Sequence, residues 1–377
     1  MGVGMIPYGR QWIDEDDIKG VVDVLRSEWL TTGPKVEEFE QAVAAQTGAK
    51  YAVAVSSGTA ALHAAMYAIG VGCGDEVIVP TMTFASTANC VIFQGGTPII
   101  VDVITDTLLI DPSDIEKKIT QWTKAIIAVD YAGHPADYDA LRQITDKHGL
   151  ILVADACHSI GATHKGVQVG TLADLSVFSF HPVKHITTGE GGMVVTDNEE
   201  YACRIRMFRN HGITTDHRQR VEQGTWHYEM VELGYNYRIS DFQCALGISQ
   251  LRKLPQWILR RQEIASRYNE AFMNCESVKP LGVRNNVSHA YHLYVIRLAF
   301  SLLSIDRAVL FNRLREESVG VNVHYIPVHL HPYYQREIGT KPGLCPVAEK
   351  VYEEILSLPI FPQMSDDDVD TVIDKIT

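Results

Sequence analysis

A lysine lies shortly after an alternating apolar run of this chain. The run from Leu175 to Phe180 is typical of a strand, and Pro182, which cannot donate to a strand ladder, ends it. Lys184 is therefore expected at the mouth of a buried strand, where partial desolvation makes its amine easier to deprotonate. A Schiff-base lysine needs that neutral state. A lone lysine is more often an ordinary surface residue, so the hypothesis depends on the residues around it.

An aspartate ends another apolar run, one strand earlier in the chain. The run from Gly149 to Asp155 predicts a buried strand whose last side chain is a carboxylate. An unpaired carboxylate there is costly, and it needs a cation or hydrogen-bond donors. A protonated pyridine nitrogen would satisfy it, and such a ring is an electron sink. The alternative is that Asp155 only caps the turn that follows it.

A hydroxyl-rich turn follows the first predicted strand. Ser56-Ser57-Gly58-Thr59 lies between the strand that ends at Val55 and a helix, so its backbone N–H groups and hydroxyls could bind an anion. It does not fit the dinucleotide-binding glycine pattern and lacks the lysine of a P-loop; a plain helix cap is the alternative. A lysine for an aldehyde, an aspartate for a ring nitrogen and a helix start for a phosphate together fit pyridoxal phosphate.

Two further residues could contact such a ring. Phe84, just past the end of a predicted strand, could stack on it, although packing in the core is the more common role of a single aromatic residue. His158 could hydrogen-bond the ring hydroxyl, although a lone histidine is more often structural.

Four segments carry a resemblance to a known family. They are Ser57-Gly-Thr-Ala-Ala-Leu62, Asp155-Ala-Cys-His158, Phe178-Ser-Phe-His-Pro-Val-Lys184 and Gly189-Glu-Gly-Gly192. Together they resemble the sugar aminotransferases of the DegT/DnrJ/StrS family, and the similarity extends from Tyr8 to Pro359. The resemblance implies an α/β, fold-type I pyridoxal-phosphate enzyme (aspartate aminotransferase-like), which transfers an amino group from L-glutamate to the keto group of a UDP-linked sugar.

The resemblance also implies roles for individual residues. Lys184 would form the Schiff base, Asp155 would pair with the ring nitrogen, and His158 would lie against the ring hydroxyl. The expected phosphate-binding residues are Gly58, Thr59 and Ser179. Asn236 would reach the phosphate of the neighbouring subunit's cofactor, which implies a homodimer with shared active sites. The expected sugar-nucleotide contacts are Tyr8, Thr31, Arg238, His324 and Tyr325.

Two other protein classes remain open on the sequence. A pyridoxamine-dependent sugar dehydrase has a related fold but carries histidine at the lysine position, and here His185 is adjacent to Lys184. A non-catalytic cofactor-binding regulator would be expected to carry an added DNA-binding domain. The histidines at 324, 329 and 331 do not have a familiar metal-ligand spacing, so no metal is expected.

The pattern around these residues predicts the elements that position them. Apolar runs alternate with helical segments from Tyr51 to Thr196, which indicates a mostly parallel sheet with helices on both faces. Ligands bind beyond the carboxyl ends of such strands. We expect residues 1–250 to form this large domain and residues 251–377 a small α+β domain, entered by a helix over 256–274 that Pro255 opens. A strand is also expected near residues 320–325.

Composition excludes several classes of protein. Of 377 residues, 46% are apolar and 21% charged, as in an ordinary soluble enzyme, and the net charge of −13 comes without a basic run for nucleic acid. Seven cysteines without a Cys-x-x-Cys pair indicate reduced thiols. The N-terminus does not resemble a signal peptide, and polar residues interrupt the most apolar window, near 52–72. A cytoplasmic protein without a membrane span is expected.

Overall fold

The structure, a computed structural model, describes residues 4–215 and 217–377. Within this part, the α-helices are α1 (Glu15–Leu25), α2 (Pro34–Thr47), α3 (Gly58–Ala68), α4 (Ser86–Phe93), α5 (Pro112–Lys118), α6 (Tyr138–His148), α7 (Glu199–Phe208), α8 (His217–Glu222), α9 (Asp241–Phe272), α10 (Arg307–Glu316), α11 (Pro332–Glu337), α12 (Pro346–Glu354) and α13 (Asp366–Ile376). The strands are β1 (Tyr51–Val55), β2 (Glu76–Pro80), β3 (Thr97–Val101), β4 (Thr123–Val129), β5 (Ile151–Asp155), β6 (Thr163–His164), β7 (Val167–Gln168), β8 (Leu175–Ser179), β9 (Gly192–Thr196), β10 (Val278–Pro280), β11 (Val287–Ser288), β12 (Tyr294–Leu298) and β13 (Ile355–Leu358).

A seven-stranded sheet forms the centre of the molecule, in the order β1-β9-β8-β5-β4-β2-β3. The β8–β5, β5–β4, β4–β2 and β2–β3 pairs are parallel, whereas β9 pairs antiparallel with both of its neighbours. The carboxyl ends of the parallel strands therefore lie at one edge of the sheet, where ligands bind in folds of this type. The predicted mostly parallel α/β sheet is confirmed.

Both faces of this sheet are buried, which explains why its strands read as continuous apolar runs. Along β1, Val53 and Val55 pack into one core cluster and Ala52 and Ala54 into the other, as expected from the two-residue period of a strand. Helices α3, α4 and α7 pack on the first face. Helices α2, α6 and the first half of α9 pack on the second.

A second, three-stranded antiparallel sheet lies in the C-terminal part of the chain, in the order β10-β12-β13. It packs with the second half of α9 and with α13 around a separate core cluster. A third sheet, β11-β6-β7, joins the two parts of the chain, because β11 follows α9 in sequence but pairs with β6. Since α9 runs without a break from Asp241 to Phe272, the expected domain boundary at residue 250 falls inside a helix.

The prediction that Pro255 opens a helix is wrong, because Pro255 lies inside α9. An internal proline removes one backbone donor and costs about 3 kcal/mol. Leu251, Leu254, Trp257 and Ile258 are nevertheless buried around it against the core of the large sheet. Each contributes on the order of 1.5–3 kcal/mol, so burial outweighs the cost and the helix continues.

The predicted strand at 320–325 is also wrong. Only Asn322 pairs with the neighbouring strand, through a single bridge to Ser357. From Val323 onward the chain leaves the edge of that sheet and runs along the wall of a cavity. No helix in the described residues is both long enough and apolar enough to cross a membrane.

Candidate active site

A cavity of about 510 Å³ lies at the carboxyl edge of the large sheet. Its size falls within the usual range for small-ligand sites. Ten of the residues predicted from the sequence line it: Tyr8, Gly58, Thr59, Phe84, Asp155, His158, Ser179, Lys184, His324 and Tyr325. They come from the ends of β1, β2, β5 and β8, from the N-terminal arm and from the segment that precedes α11.

Lys184 lies in the loop after β8, and its amine faces the cavity. Its Nζ atom is 3.4 Å from Nε2 of His292. Burial lowers the pKa of Lys184, and the nearby Cys157 thiol and Asp155 carboxylate only partly oppose the effect. The lysine is therefore closer to the neutral form than a solvated lysine would be.

Asp155 is the last residue of β5 and is only 6% exposed. Its Oδ2 atom accepts a hydrogen bond of 2.7 Å from Oγ1 of Thr87, and its Oδ1 atom accepts a longer one, 3.3 Å, from the backbone N–H of Cys157. A buried carboxylate that accepts one short and one long hydrogen bond still has lone pairs available for a cationic partner in the cavity.

His158 is held on the same wall, in the turn after β5. Its Nε2 atom lies 3.2 Å from the hydroxyl of Tyr325, and its buried Nδ1 atom has no hydrogen-bond partner among the described residues. Burial lowers the pKa of His158 well below its usual value, with a smaller contribution from Lys184. The imidazole is therefore neutral at pH 7 and has a ring nitrogen free for a ligand.

The start of α3 forms the side of the cavity suited to an anion. Ser57 caps this helix by accepting from the N–H of Ala60, and Gly58 packs against Ser179 at the end of β8. A Cβ atom on Gly58 would lie 2.9 Å from Cβ of Ser179 and 3.3 Å from Sγ of Cys157. Only glycine fits there, so the free N–H groups of the helix start and the Ser179 hydroxyl face the same space.

Phe84, Tyr8 and His324 complete the wall opposite the sheet. Phe84 is 60% exposed and its ring centroid lies 6.0 Å from that of Tyr325, so one face of the ring is open to a ligand. Tyr8 and His324 have ring centroids 5.4 Å apart. His324 is fixed by a 2.9 Å contact between its Nδ1 atom and Oγ of Ser357, and burial lowers its pKa to about 4.

Three predicted residues do not join this cavity. Thr31 and Arg238 line a separate pocket of about 630 Å³, where Arg238 donates to Oδ1 of Asn210. Asn236 is exposed on the chain segment that carries Arg238. Within one chain these residues are therefore not brought together with Lys184, and their contact with substrate or cofactor remains a prediction.

The residues around the cavity fit pyridoxal phosphate. Asp155 offers a buried carboxylate for a pyridinium nitrogen, and His158 has an unpartnered ring nitrogen. Gly58 and Ser179 leave room for a phosphate beside free backbone donors. Lys184 supplies an amine with a lowered pKa for the aldehyde.

Sequence reasoning missed two residues that contact the predicted pair. Thr87 donates a hydrogen bond to Asp155. It follows Phe84 by three residues, so a predicted helix in this segment could have placed Thr87 about one helical turn after Phe84. His292 contacts Lys184 from the segment between β11 and β12. No local pattern around His292 indicates this contact, because long-range folding brings it there.

Comparison with known proteins gives the same assignment as the geometry. Residues 11–377 match the DegT/DnrJ/EryC1/StrS aminotransferase family. The chain belongs to this family. Its predicted α/β fold and its class of enzyme, a pyridoxal-phosphate-dependent sugar aminotransferase, are thereby confirmed.

Three similar proteins illustrate the likeness. The spore coat polysaccharide biosynthesis protein SpsC of Bacillus subtilis is 42% identical over 373 residues, which cover 98% of this chain and 96% of SpsC. The putative sugar aminotransferase Spr1654 of Streptococcus pneumoniae, in its PMP-form, is 33% identical with a TM-score of 0.92 and covers 98% of each chain. Helicobacter pylori PseC, an aminotransferase involved in pseudaminic acid biosynthesis, is 31% identical with a TM-score of 0.92 and covers 99% of this chain and 98% of PseC. Spr1654 has also been solved in its PLP-form, which supports the predicted cofactor.

Proposed function

We propose that this protein transfers the amino group of L-glutamate to the 4-keto group of a UDP-linked 4-keto-6-deoxy-N-acetylhexosamine, with pyridoxal phosphate as cofactor. The observation that carries the proposal is the arrangement of Lys184 and Asp155. Asp155 ends β5 and Lys184 lies in the loop after β8, but both side chains line one cavity, as a single ring bound at both ends would require. A histidine at position 184 would favour the dehydrase, and this chain has lysine there.

The chain's own groups divide the work between the two half-reactions. Pyridoxal phosphate, when bound, supplies an electron sink for the negative charge that develops at the amino-acid α carbon. Asp155 would hold a proton on the ring nitrogen, and Ser179 and the start of α3 would hold the phosphate. Lys184, as a neutral amine, takes the proton from the α carbon of L-glutamate at Nζ and later delivers a proton to carbon 4 of the sugar.

The choice of sugar rests on similarity of sequence. Four segments resemble UDP-4-amino-4,6-dideoxy-N-acetyl-beta-L-altrosamine transaminase of pseudaminic acid synthesis: Val129–Gly133, Phe180–Lys184, Ile186–Gly189 and Trp226–Met230. PseC is a structural relative. SpsC favours a second candidate, an aminotransferase for another nucleotide-linked keto sugar, because its identity of 42% exceeds the 31% of PseC. Thr225, His227 and His185 also depart from the residues usual in the altrosamine enzymes.

We further propose a homodimer in which each subunit completes the other's site. The segment from Trp226 to Tyr235 exposes several large apolar side chains, with Trp226 at 85%, Met230 at 65% and Leu233 at 73%. Such a patch on a soluble protein marks an interaction surface. Asn236 and Arg238 directly follow this segment and lie outside their own chain's cavity, so docking of a second copy would bring them to its cofactor and substrate.

Borohydride reduction tests the cofactor assignment. Reduction fixes an aldehyde covalently to the lysine that binds it, so mass spectrometry should find the label on Lys184. The Lys184→Ala variant should bind the cofactor without this label and lose transamination. A label on another lysine, or turnover like that of the unmodified enzyme in Lys184→Ala, would contradict the proposal.

A panel of UDP-linked 4-keto sugars tests the substrate. Each is incubated with the enzyme and L-glutamate, and the amino sugar and 2-oxoglutarate are measured. Amination of the precursor of the altrosamine product supports the first candidate. Amination of only a different keto sugar would select the second, and release of no 2-oxoglutarate with any sugar would exclude both.

A further inference from the structure

We propose that His292 is a positioning residue for Lys184. Its Nε2 atom accepts an N–H of the lysine amine and so directs the lone pair of that nitrogen into the cavity. This inference rests on the proposed function, in which Lys184 carries protons at this site. It adds one requirement to those already met by Lys184 and Asp155: an uncharged hydrogen-bond acceptor must hold the lysine amine.

The contact is the only side-chain hydrogen bond that Nζ of Lys184 makes within residues 4–215 and 217–377, and it measures 3.4 Å. Catalytic hydrogen bonds are often this long in the absence of ligand and tighten when it binds. We assign the donor role to the lysine amine, so that Nε2 accepts; this places the ring proton on Nδ1, which is buried and has no hydrogen-bond partner among the described residues. A flexible four-carbon stem would otherwise leave the amine free to rotate.

The backbone around His292 is fixed by the turn after β4. The N–H of Ala290 donates to the carbonyl of Gly133 at 2.9 Å, and the N–H of Leu293 donates to the carbonyl of Ala132 at 3.1 Å. Gly133 has a φ of 99°, and a Cβ atom there would lie 2.8 Å from the backbone nitrogen of His292. The turn can approach the backbone of His292 this closely only because residue 133 is glycine, so backbone contacts with the turn hold the segment in place.

A buried arginine fixes the same segment from the other side. Arg261 of α9 is 1% exposed, and its guanidinium donates to the carbonyls of Tyr291 at 3.0 Å and His292 at 3.4 Å. His185, next to Lys184, contacts the carbonyl of Ala290 through its Nε2 atom at 3.0 Å. Hydrogen bonds from three separate parts of the chain thus hold one histidine, as expected where the direction of a side chain matters.

The groups that face His292 leave it neutral. Lys184, His158, His185 and Arg261 surround the ring, with the His158 and His185 centroids 4.3 and 5.5 Å away. Burial lowers the pKa of His292 well below its usual value, and these cationic or potentially cationic neighbours lower it further. Burial likewise lowers the pKa of His158 and of His185. The acceptor therefore stays available at neutral pH.

The test compares His292→Leu, which removes the acceptor, with His292→Gln, which offers an amide oxygen in its place. Lys184 in the full-length, cofactor-free protein is labelled with acetic anhydride across a pH series and quantified by mass spectrometry. Loss of the acceptor destabilises the ammonium form, so His292→Leu should move the labelling midpoint to lower pH, and His292→Gln should keep it near the original value. In the cofactor-loaded enzyme, His292→Leu should slow the half-reaction with L-glutamate by about 10- to 100-fold, with little change in KM, and His292→Gln should recover most of the rate.

His289→Leu is the matched control, since His289 is buried in the same segment, stacks on Tyr291 and accepts from the backbone N–H of Tyr291 rather than from Lys184. Circular dichroism and thermal unfolding of all three variants monitor the fold. An unchanged labelling midpoint in His292→Leu, or equal changes in the Leu and Gln variants, would overturn the inference. Failure of the proposed function is a different result, because borohydride would then leave Lys184 of the unmodified enzyme unlabelled.

Discussion

Thr87 is the side chain on which the buried carboxylate of Asp155 most depends. Its hydroxyl donates at 2.7 Å, and the other donor, the N–H of Cys157, is at 3.3 Å. Thr87 is itself fully buried and lies 2.7 Å from the hydroxyl of Thr83, which lines the cavity. A chain of two hydroxyls therefore connects the acid to the cavity wall.

We expect Thr87→Val to weaken the enzyme through Asp155. A hydrogen bond to a charged group is worth about 1.5–3 kcal/mol, so the rate of transamination should fall by roughly 10- to 100-fold. Steady-state kinetics and cofactor titration measure the effect. Thr87→Ser keeps the donor and is the matched control; if serine and valine variants lose the same activity, the hydroxyl is not responsible.

A second buried carboxylate positions the turn that carries His158. Asp130, after β4, accepts from Ser159 at 2.6 Å, from Tyr138 at 2.9 Å and from the N–H of Ala136 at 2.8 Å. Burial raises its pKa to about 7, and these three donors oppose the shift. With three donors on one acid, we assign Asp130 a structural role beside the cavity.

At the scale of residues, sequence patterns predicted the site residues that lie at or just after the end of an apolar strand. Asp155 and Lys184 could be found because a polar group at the end of a buried run is conspicuous. Thr87 could not be assigned to Asp155, because this requires knowing that α4 packs beside the end of β5. His292 was out of reach for the same reason, since Arg261 and Gly133 place it from distant parts of the chain.

At the scale of elements, β9 is the strand on which the anion side of the cavity is built. It lies between β1 and β8, and Gly192 pairs with Val55 on one side and Ser179 on the other. A Cβ atom on Gly192 would lie 2.3 Å from the carbonyl oxygen of Ser57 and 2.8 Å from the nitrogen of Gly58. The start of α3 can therefore approach the end of β8 only because residue 192, which lies between them, is a glycine without a side chain.

Gly192→Ala should accordingly move the start of α3. The collision is with backbone atoms, which cannot rotate away, so we expect a loss of about 1–3 kcal/mol in the free energy of unfolding and weaker binding of the cofactor phosphate. Urea denaturation and cofactor titration measure both. Gly72→Ala is the control, because a Cβ there would have nothing within 4 Å; equal losses in the two variants would contradict the role given to Gly192.

The elements show where sequence patterns stop being informative. An apolar run predicts a buried strand but not its direction, so the antiparallel β9 was not distinguishable from its parallel neighbours. Pro255 is a strong local signal against a helix interior, but burial of its neighbours on the core overrides it. Sequence patterns predicted which helices and strands form and in what order. Packing determined whether a helix continues and which way a strand runs.

At the scale of the whole molecule, burial of many histidines makes stability depend on pH. Among the described residues, burial lowers the pKa of His63, His134 and His324 to about 4. Such a histidine is neutral when folded but takes up a proton on unfolding below its unfolded pKa, near 6.5. The unfolded chain then binds more protons, so stability falls as the pH drops from about 6.5 towards 4.

His134→Gln should remove the contribution of one histidine to the pH dependence of stability. His134 is 2% exposed and its Nε2 atom accepts from the N–H of Arg284, a bond that glutamine can attempt to replace. Between pH 6 and 5 the slope of unfolding free energy against pH should decrease by about 1 kcal/mol per pH unit. Urea denaturation over this range measures it, with the exposed His148→Gln as control; identical slopes in the two variants would refute the account.

The proposed sharing of active sites between two subunits predicts complementation between two inactive variants. Lys184→Ala and Asn236→Ala each damage every site of their own homodimer. In a mixed dimer one site carries both lesions and the other carries neither, so co-refolding equal amounts should restore about a quarter of the original activity. An activity assay after mixing, with each variant refolded alone as control, measures this; no recovery despite dimers of both chains would show that Asn236 acts within its own subunit.

The position of β9 between β1 and β8 also has a consequence for synthesis. The first strand leaves the ribosome long before residues 192–196 exist, so β1 must wait without its only sheet neighbour. Pairings between distant segments form slowly and leave apolar surface exposed meanwhile. We therefore expect the cofactor site of a nascent chain to form only after most of its length has been translated, and its incomplete sheet to expose apolar surface until then.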